Sequence, residues 1–445
     1  MIVPLALAVL QSGAPALQRT PTPSLQRSPT PASLGGALVT PFVPPLSAGV
    51  LPGRLMEVTM NFPTQQWEEK FVLGVPQLVS TPAPVLTLFH GYGERHLDVV
   101  QNTALVQDAM ARGWIVYIPL GAHIYNYGIE YAQRNIELTF EFLGPRLPID
   151  LDRIYAVGFS MGGGAAASYA ARHLDPEGVR FAAIVNHTGT TSLRATYHTS
   201  NDTNLFRSPL MFGGAPAEVP FGYLQSSTVD LDPVAWNSDP ASEMASNLSH
   251  VPVLNWMADL DPNWTILQQT KAFHSRLLAR GGNASQTVVT SALHSWSTLD
   301  SNATLDWLQQ HTLQTPQPGD VTRVLADRNG RWHDLDIVQS RSEEVTPMLW
   351  SAQPATDTLY LIEMANLDSV ALHLGDVGLD PAQSLSVVVQ TEDASAPQIV
   401  LDGVPASPTN VLRRGVSTSA WTWAGGKLTL FEPGPAGWAN WEIVP

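Results

Sequence analysis

Short, nearly continuous runs of apolar residues recur through the middle of the chain. They cover 85–89, 114–120, 154–157, 181–185, 251–256 and 287–290. Runs of this length suit strands that are covered on both faces, as in a parallel sheet. Between them the apolar residues follow a helical spacing, over 97–111, 131–143, 163–172, 265–279 and 304–311. The alternation of strand and helix predicts an α/β fold with a doubly wound, mostly parallel sheet.

The pattern changes at the start of this region and once within it. Residues 56–62 and 69–75 alternate apolar and polar positions, which predicts half-exposed strands. Further along, 188–250 has no clear strand and is rich in Asn, Ser, Gly and Pro. An insertion of that size predicts a lid or a binding surface rather than a neutral loop.

Beyond residue 319 the candidate strands are short and separated by Pro, Gly, Asp and Ser, at 358–363, 385–390, 398–401 and 427–431. No long helical pattern remains there. Residues 320–445 are therefore predicted to form a smaller β-rich accessory domain. The α/β domain is assigned to 51–315, including the insertion.

The N-terminal segment has the pattern of an export signal. Residues 2–10 are apolar and are followed by small residues up to Ala16, although no Arg or Lys precedes them. Nine apolar residues are too few to span a bilayer but suit a signal-peptide core. We expect a signal peptide at 1–16 and a secreted or periplasmic protein; a frayed apolar terminus is the alternative. Residues 17–50, dense in Pro, Ser and Thr, predict an extended linker.

Composition excludes several classes of function. The chain has 445 residues and a formal net charge of -16, so nucleic acid is not expected as a partner. With no cysteine, disulfides, thiolate metal sites and cysteine nucleophiles are excluded. No run approaches the roughly 20 apolar residues of a membrane-spanning helix. No metal or organic cofactor is predicted, because the spacing of His187, His198, Asp202 and Asp230 matches no tight metal site. The oligomeric state is not indicated.

A candidate nucleophile follows the run at 154–157. Residues 158–162 read G-x-S-x-G with Ser160 at the centre, and small residues continue into a helical pattern. A nucleophile at a sharp strand-to-helix turn has a strained backbone and needs close neighbours without side chains. The helix that follows would place the Met161 N–H at a developing oxyanion. The alternative is an ordinary glycine-rich turn.

A second oxyanion donor is expected upstream. The run at 85–89 is followed by His90-Gly91-Tyr92, where the Tyr92 N–H can donate to the oxyanion. His90 is expected to orient this loop rather than to act as a base.

A serine nucleophile also needs a base and an orienting carboxylate, which in this topology follow it in the order acid, then histidine. Two aspartates follow the run at 251–256. Asp261 has the strand-G-x-x-D-P spacing, with Ala258 in the glycine position, and is favoured over Asp259, which then caps a turn or helix. His294 lies 33 residues further on, after the last predicted strand, and is the predicted base.

Large aromatic residues flank the predicted site. Trp256, Trp264 and Trp296 are candidates for stacking on an aromatic or sugar ring of a substrate, while the alternative places them in the core.

These motifs resemble a known group of enzymes. Residues 84–94 and the string D-L-D-R-I-Y at 150–155, leading into G-F-S-M-G-G at 158–163, resemble secreted bacterial α/β-hydrolases. The resemblance is to the polyhydroxybutyrate depolymerase, feruloyl esterase and prolyl-oligopeptidase-like group, and it covers roughly 55–314. It implies an α/β-hydrolase fold, a triad of Ser160, Asp261 and His294, and an acyl-enzyme intermediate.

The same resemblance implies small-molecule or polymeric esters as substrates, of feruloyl, acetyl or polyester type. The chain departs from the group at Ala258, which concerns the choice of the triad acid. It departs again in the long insertion, which concerns the substrate. Two alternatives stay open: a serine peptidase of the prolyl-oligopeptidase-like type, and a degenerate hydrolase whose β domain binds carbohydrate.

Overall fold

The computed structural model describes residues 24–27, 37–42, 52–61, 68–199, 202–237, 243–290, 292–434 and 436–445. The predicted signal peptide at 1–16 and most of the predicted linker at 17–50 lie outside the described residues. Within them, no helix is both long and apolar enough to cross a membrane.

The first eleven strands and all the α-helices precede residue 310. The strands are β1 (Ser24–Arg27), β2 (Leu38–Phe42), β3 (Gly53–Met60), β4 (Glu69–Pro76), β5 (Leu78–Thr81), β6 (Ala83–Phe89), β7 (Ile115–Pro119), β8 (Ile149–Phe159), β9 (Ala183–His187), β10 (Val253–Ala258) and β11 (Ala284–Val289). The helices are α1 (His96–Asn102), α2 (Leu105–Ala111), α3 (Glu130–Leu143), α4 (Met161–Arg172), α5 (Leu193–Thr199), α6 (Asp202–Phe212), α7 (Pro220–Gln225), α8 (Trp264–Ala279) and α9 (Ser301–Leu308). A 3-10 helix spans Met244–Leu248.

Nine of these strands form one sheet in the order β11-β10-β9-β8-β6-β7-β4-β3-β2. The pairings from β11 to β7 are parallel, and those from β7 to β2 are antiparallel. One face packs on α3, α4 and α8, and the other on α1, α2 and α9. The predicted doubly wound, mostly parallel sheet is confirmed.

The C-terminal region is a β-sandwich. Its strands are β12 (Thr322–Ala326), β13 (Gly330–Trp332), β14 (Leu335–Gln339), β15 (Thr346–Gln353), β16 (Thr358–Met364), β17 (Leu367–His373), β18 (Leu385–Thr391), β19 (Gln398–Asp402), β20 (Asn410–Arg413), β21 (Val416–Ser417), β22 (Trp421–Ala424), β23 (Lys427–Phe431) and β24 (Gly437–Val444). They form a seven-stranded and a six-stranded sheet. Side chains from both, including Trp441 of the first and Trp332 of the second, share one core. The predicted β-rich C-terminal region is confirmed.

Three local expectations were wrong. The helical pattern at 97–111 is two helices, because Thr103 is extended (φ -141°, ψ 149°) and ends α1. Strand β4 is buried along nearly its whole length rather than half-exposed, since it lies inside the sheet between β3 and β7. The predicted linker at 17–50 contributes β2, which pairs with β3 at the sheet edge. An edge strand tolerates Pro41, which has no N–H to donate.

The insertion at 188–250 is largely helical in its described part. It carries α5, α6 and α7 and the 3-10 helix, and it returns to the sheet at β10. Asn, Ser and Pro disfavour the interior of a helix but are common at helix ends, which is why the composition of this segment concealed these short helices.

Candidate active site

Ser160 lies at the turn between β8 and α4. Its φ of 54° and ψ of -119° are in a region that residues with a side chain rarely adopt. A Cβ at Gly158 would lie 2.0 Å from the Gly162 carbonyl oxygen, and one at Gly162 would lie 2.2 Å from that of Phe89. The G-x-S-x-G spacing is therefore required by the packing of this turn.

A buried carboxylate holds the imidazole of His294. The Asp261 Oδ2 atom lies 2.6 Å from His294 Nδ1, and the Asp261 side chain is fully buried. Its Oδ1 atom accepts the Asn263 N–H at 2.8 Å. Asp259 is exposed, and its one side-chain bond within the described part of the chain is a long one of 3.4 Å from the Ala292 N–H. Of the two candidate acids, the structure brings Asp261 to His294 and leaves Asp259 in the turn.

Ser160 and His294 line one cavity of about 420 Å³. The His294 ring centroid lies 4.5 Å from that of Phe159, the residue before Ser160. Among the described residues no hydrogen bond joins the Ser160 hydroxyl to the His294 ring. In unliganded active sites such bonds are often long and shorten when substrate binds.

Both predicted oxyanion donors, Tyr92 and Met161, line the same cavity. Met161 is the first residue of α4, where helix N–H groups have no partner within the helix. The loop that carries Tyr92 is held by His90, whose ring nitrogens lie 2.9 Å from the carbonyl oxygens of Gly91 and Leu120. His90 is buried, so it supports this loop from beneath and does not reach the cavity.

A second buried histidine lies behind the site. His187 ends β9, contacts the ring of Phe159 at 4.9 Å and has its Nε2 atom 2.8 Å from the Thr298 hydroxyl. Burial, and then repulsion from His294, lower the pKa of His187 to about 3. His187 is therefore neutral near pH 7 and places no positive charge beside His294.

The insertion supplies a large share of the cavity lining, which sequence reasoning did not assign to residues. Thr190, Thr196 and Thr199 line it, the last two from α5. Arg207 of α6 donates to the Tyr92 hydroxyl at 2.9 Å and lies 4.1 Å over the Tyr125 ring. The only sequence signal for these residues was the position of the insertion after β9, at the same edge of the sheet as Ser160.

Two of the three tryptophans lie in the core, which was the alternative to stacking on a substrate ring. Trp256 and Trp296 are buried, and their indole N–H groups donate to the Thr298 carbonyl and the Glu94 carboxylate. Trp264 is 56% exposed and packs against Trp236 at 5.4 Å. None of the three is among the described residues that line the cavity. Their closeness to site residues in sequence did not indicate the direction of their side chains.

The nine-stranded sheet with its nucleophile turn between β8 and α4 is the α/β-hydrolase fold, and the domain is a serine hydrolase of the esterase and peptidase type. Residues 136–313, which contain Ser160, Asp261 and His294, match the model of the prolyl oligopeptidase family. No curated protein sequence matches the chain.

Solved structures similar to this one include esterases and a peptidase. A ferulic acid esterase is 16% identical, with 58% of this chain and 97% of that one covered and a TM-score of 0.43. An acetyl xylan esterase from Paenibacillus sp. R4 is 11% identical, with 62% and 88% covered and a TM-score of 0.42. An acylaminoacyl peptidase from Pyrococcus horikoshii is 17% identical, with 60% and 43% covered and a TM-score of 0.44.

Proposed function

We propose that the protein is a secreted or periplasmic serine hydrolase that cleaves carboxylic esters through an acyl-enzyme intermediate. The observation that carries the proposal is the 2.6 Å contact between Asp261 and His294 at a cavity that also contains Ser160. A strained serine, a histidine and a buried carboxylate in one site are the parts that nucleophilic acyl transfer requires.

In this mechanism Asp261 accepts the Nδ1–H of His294 and fixes the tautomer in which Nε2 is free to take a proton. Nε2 removes the Ser160 proton as Oγ attacks the ester carbonyl carbon, and the N–H groups of Tyr92 and Met161 donate to the oxyanion. Collapse of the intermediate breaks the C–O bond, and the alcohol leaves with the proton held by His294. Water, deprotonated by the same nitrogen, then attacks the acyl carbon. The bond from that carbon to Ser160 Oγ breaks, Oγ takes the proton back from His294, and the acid is released.

The lining of the cavity supports small-molecule or polymeric esters that carry hydrogen-bonding groups. Hydroxyl and amide side chains from Thr190, Thr196, Thr199, Asn263 and Thr265 face it together with the tyrosines Tyr92 and Tyr127. Acetylated sugars, feruloyl esters and polyesters each present oxygen atoms to such groups. No cofactor takes part in the proposed steps.

The test is covalent labelling of the full chain by a fluorophosphonate. We expect rapid labelling that is lost in Ser160→Ala and slowed in His294→Ala. Wild-type protein that remains unlabelled would exclude the proposal and favour a degenerate hydrolase that only binds its ligand.

A serine peptidase is the second candidate, and the match of 136–313 to the prolyl oligopeptidase family favours it. The same groups cleave amides, so substrate choice decides. We expect hydrolysis of p-nitrophenyl, feruloyl, acetyl-sugar or hydroxyalkanoate esters with little turnover of peptide p-nitroanilides. Preference for the anilides would reverse the assignment.

A further inference from the structure

Glu94 joins two loops of the site that are far apart in sequence. It follows the loop of Tyr92, and its Oε2 atom accepts both the Gly91 N–H at 2.8 Å and the Trp296 indole N–H at 3.0 Å. Its Oε1 atom accepts the Asn102 side-chain amide at 2.9 Å. Gly91 and Trp296 therefore meet at a single carboxylate oxygen.

Each of these two donors belongs to a loop with a proposed catalytic group. Gly91 directly precedes Tyr92, whose N–H is the proposed oxyanion donor. Trp296 lies two residues after His294 and is 3% exposed. Its ring centroid is 5.1 Å from that of Phe159, and Phe159 in turn is 4.5 Å from the ring of His294. Trp296 is thus packed against the residue that precedes the nucleophile.

We propose that Glu94 is a positioning residue that sets the distance between the oxyanion loop and the histidine loop. The proposal rests on the proposed function, because it concerns the alignment of the same reacting groups. Hydrogen bonds to an ionised carboxylate are short and strong, and an ionised carboxylate only accepts them, so Glu94 can hold two donors in one place. Small misplacements in a site of this kind cost about 100-fold in rate.

Glu94 also lines the cavity, so direct contact with substrate is the competing explanation. The variant Glu94→Gln distinguishes a positioning role from direct contact with substrate. Its amide oxygen can accept from Gly91 and Trp296 as Oε2 does, while its NH2 group donates to the Asn102 side-chain oxygen after that amide flips. Glu94→Ala removes all three contacts, and Trp296→Phe removes one donor but keeps a ring against Phe159.

The experiment compares kcat and KM on a p-nitrophenyl ester, and the rate of fluorophosphonate labelling, for the full-length variants. We expect Glu94→Ala to lower kcat about 100-fold with KM changed less than about threefold. Glu94→Gln should recover most of this loss, to within about fivefold of wild type. Trp296→Phe should lower kcat about 10-fold. The double variant E94A/W296F should have a kcat within about twofold of that of E94A, because both substitutions break the same contact.

Asp98→Ala is the matched control, because Asp98 lies on the same segment and, among the described residues, its side chain bonds to Arg95 alone. Its kcat should stay within about twofold of wild type. Equal loss in E94A and E94Q would overturn the proposal in favour of a carboxylate that acts on substrate. So would an E94A protein with unchanged kcat and labelling rate.

These outcomes are distinct from failure of the proposed function. If the wild-type protein is not labelled, the proposed catalytic site is contradicted. If wild type and E94A are labelled at the same rate, only the proposed role of Glu94 is contradicted. If E94A does not fold, as judged by its thermal transition, the proposal is decided by E94Q and W296F. Full activity of W296F, or a 100-fold loss in E94Q, then overturns it.

Discussion

The two β regions of the molecule differ in where their strands end. In the hydrolase domain β6, β8, β10 and β11 run parallel, so their carboxyl ends lie at one edge of the sheet. The chain leaves these ends towards Tyr92, Ser160, Asp261 and His294. Strands of the C-terminal sandwich, such as β18, alternate buried and half-buried residues. Parallel strands collect distant segments of sequence at one place. The described pairings of the sandwich are antiparallel apart from β16 with β18 and β17 with β19, so most neighbouring strands there end on opposite sides.

The two regions are nevertheless joined by buried polar contacts. Arg172, at the end of α4, donates to Asp327 of the C-terminal region at 2.6 Å, and both side chains are fully buried. Nearby, the Asn247 side chain donates to the Leu325 carbonyl at 3.0 Å and accepts its N–H at 2.8 Å. We call these four residues the junction. The C-terminal region therefore shares buried contacts with the hydrolase domain.

The largest effect is expected at the strand ends. Asp261→Asn should lower kcat by about 10⁴-fold, because an amide at this position favours the wrong tautomer of His294. Asp259→Asn should change kcat by less than about threefold, since that carboxylate is exposed in the turn. Steady-state hydrolysis of a p-nitrophenyl ester measures both. If Asp259→Asn were the slower variant, the acid would have been assigned to the wrong aspartate.

How far the sequence predicts this site follows from the same geometry. Ser160, Asp261 and His294 could be predicted because each follows a strand that the apolar runs identify, and parallel strands bring such positions together. The Glu94–Trp296 contact could not, since it depends on side-chain directions in two loops whose residues are 202 positions apart. The junction escaped prediction for a similar reason. A lone Arg172 in a helical pattern is expected at the surface unless its buried partner is known.

The next largest effect, a loss of stability, is expected at the junction between the two regions. Asp327→Ala leaves the buried Arg172 charge with its remaining carboxylate partner, Glu130, at 2.7 Å, and should lower the free energy of unfolding by about 3–5 kcal/mol. Urea denaturation measures this. Glu177→Gln is the control, because the Glu177 contact with Arg331 at 3.5 Å also joins the two regions but is exposed. A loss below about 1 kcal/mol in both variants would contradict a junction held by buried charge.

A smaller, pH-dependent effect is expected from two histidines near the junction. The rings of His250 and His333 lie 4.7 Å apart, and burial lowers the pKa of His250 to about 4 and that of His333 well below its usual value. Repulsion from Arg180 acts in the same direction. Between about pH 6.5 and pH 4 the unfolded chain binds protons that the folded protein does not, so stability falls as pH falls.

His333→Asn removes one of these groups and tolerates the positive φ of 55° at this position. We expect the slope of unfolding free energy against pH in this window to decrease by about 1.4 kcal/mol per pH unit. Chemical denaturation at several pH values gives the slope. His198→Asn, a change at an exposed histidine of the insertion, should leave it nearly unaltered. An unchanged slope in His333→Asn would mean that His333 is protonated in the folded protein.

The smallest effect is expected at an ion pair of the sandwich that matches the junction in chemistry but not in burial. Lys427 of β23 is directly opposite Asp402 of β19, with Nζ and Oδ2 3.3 Å apart and side chains 58% and 38% exposed. Water solvates both charges, so the pair should contribute only about 0.2–1 kcal/mol, and less in high salt. A double-mutant cycle of Lys427→Gln and Asp402→Asn at low and high salt measures the coupling. Coupling as large as the loss in Asp327→Ala would show that charge alone, rather than burial, makes the contacts of the junction strong.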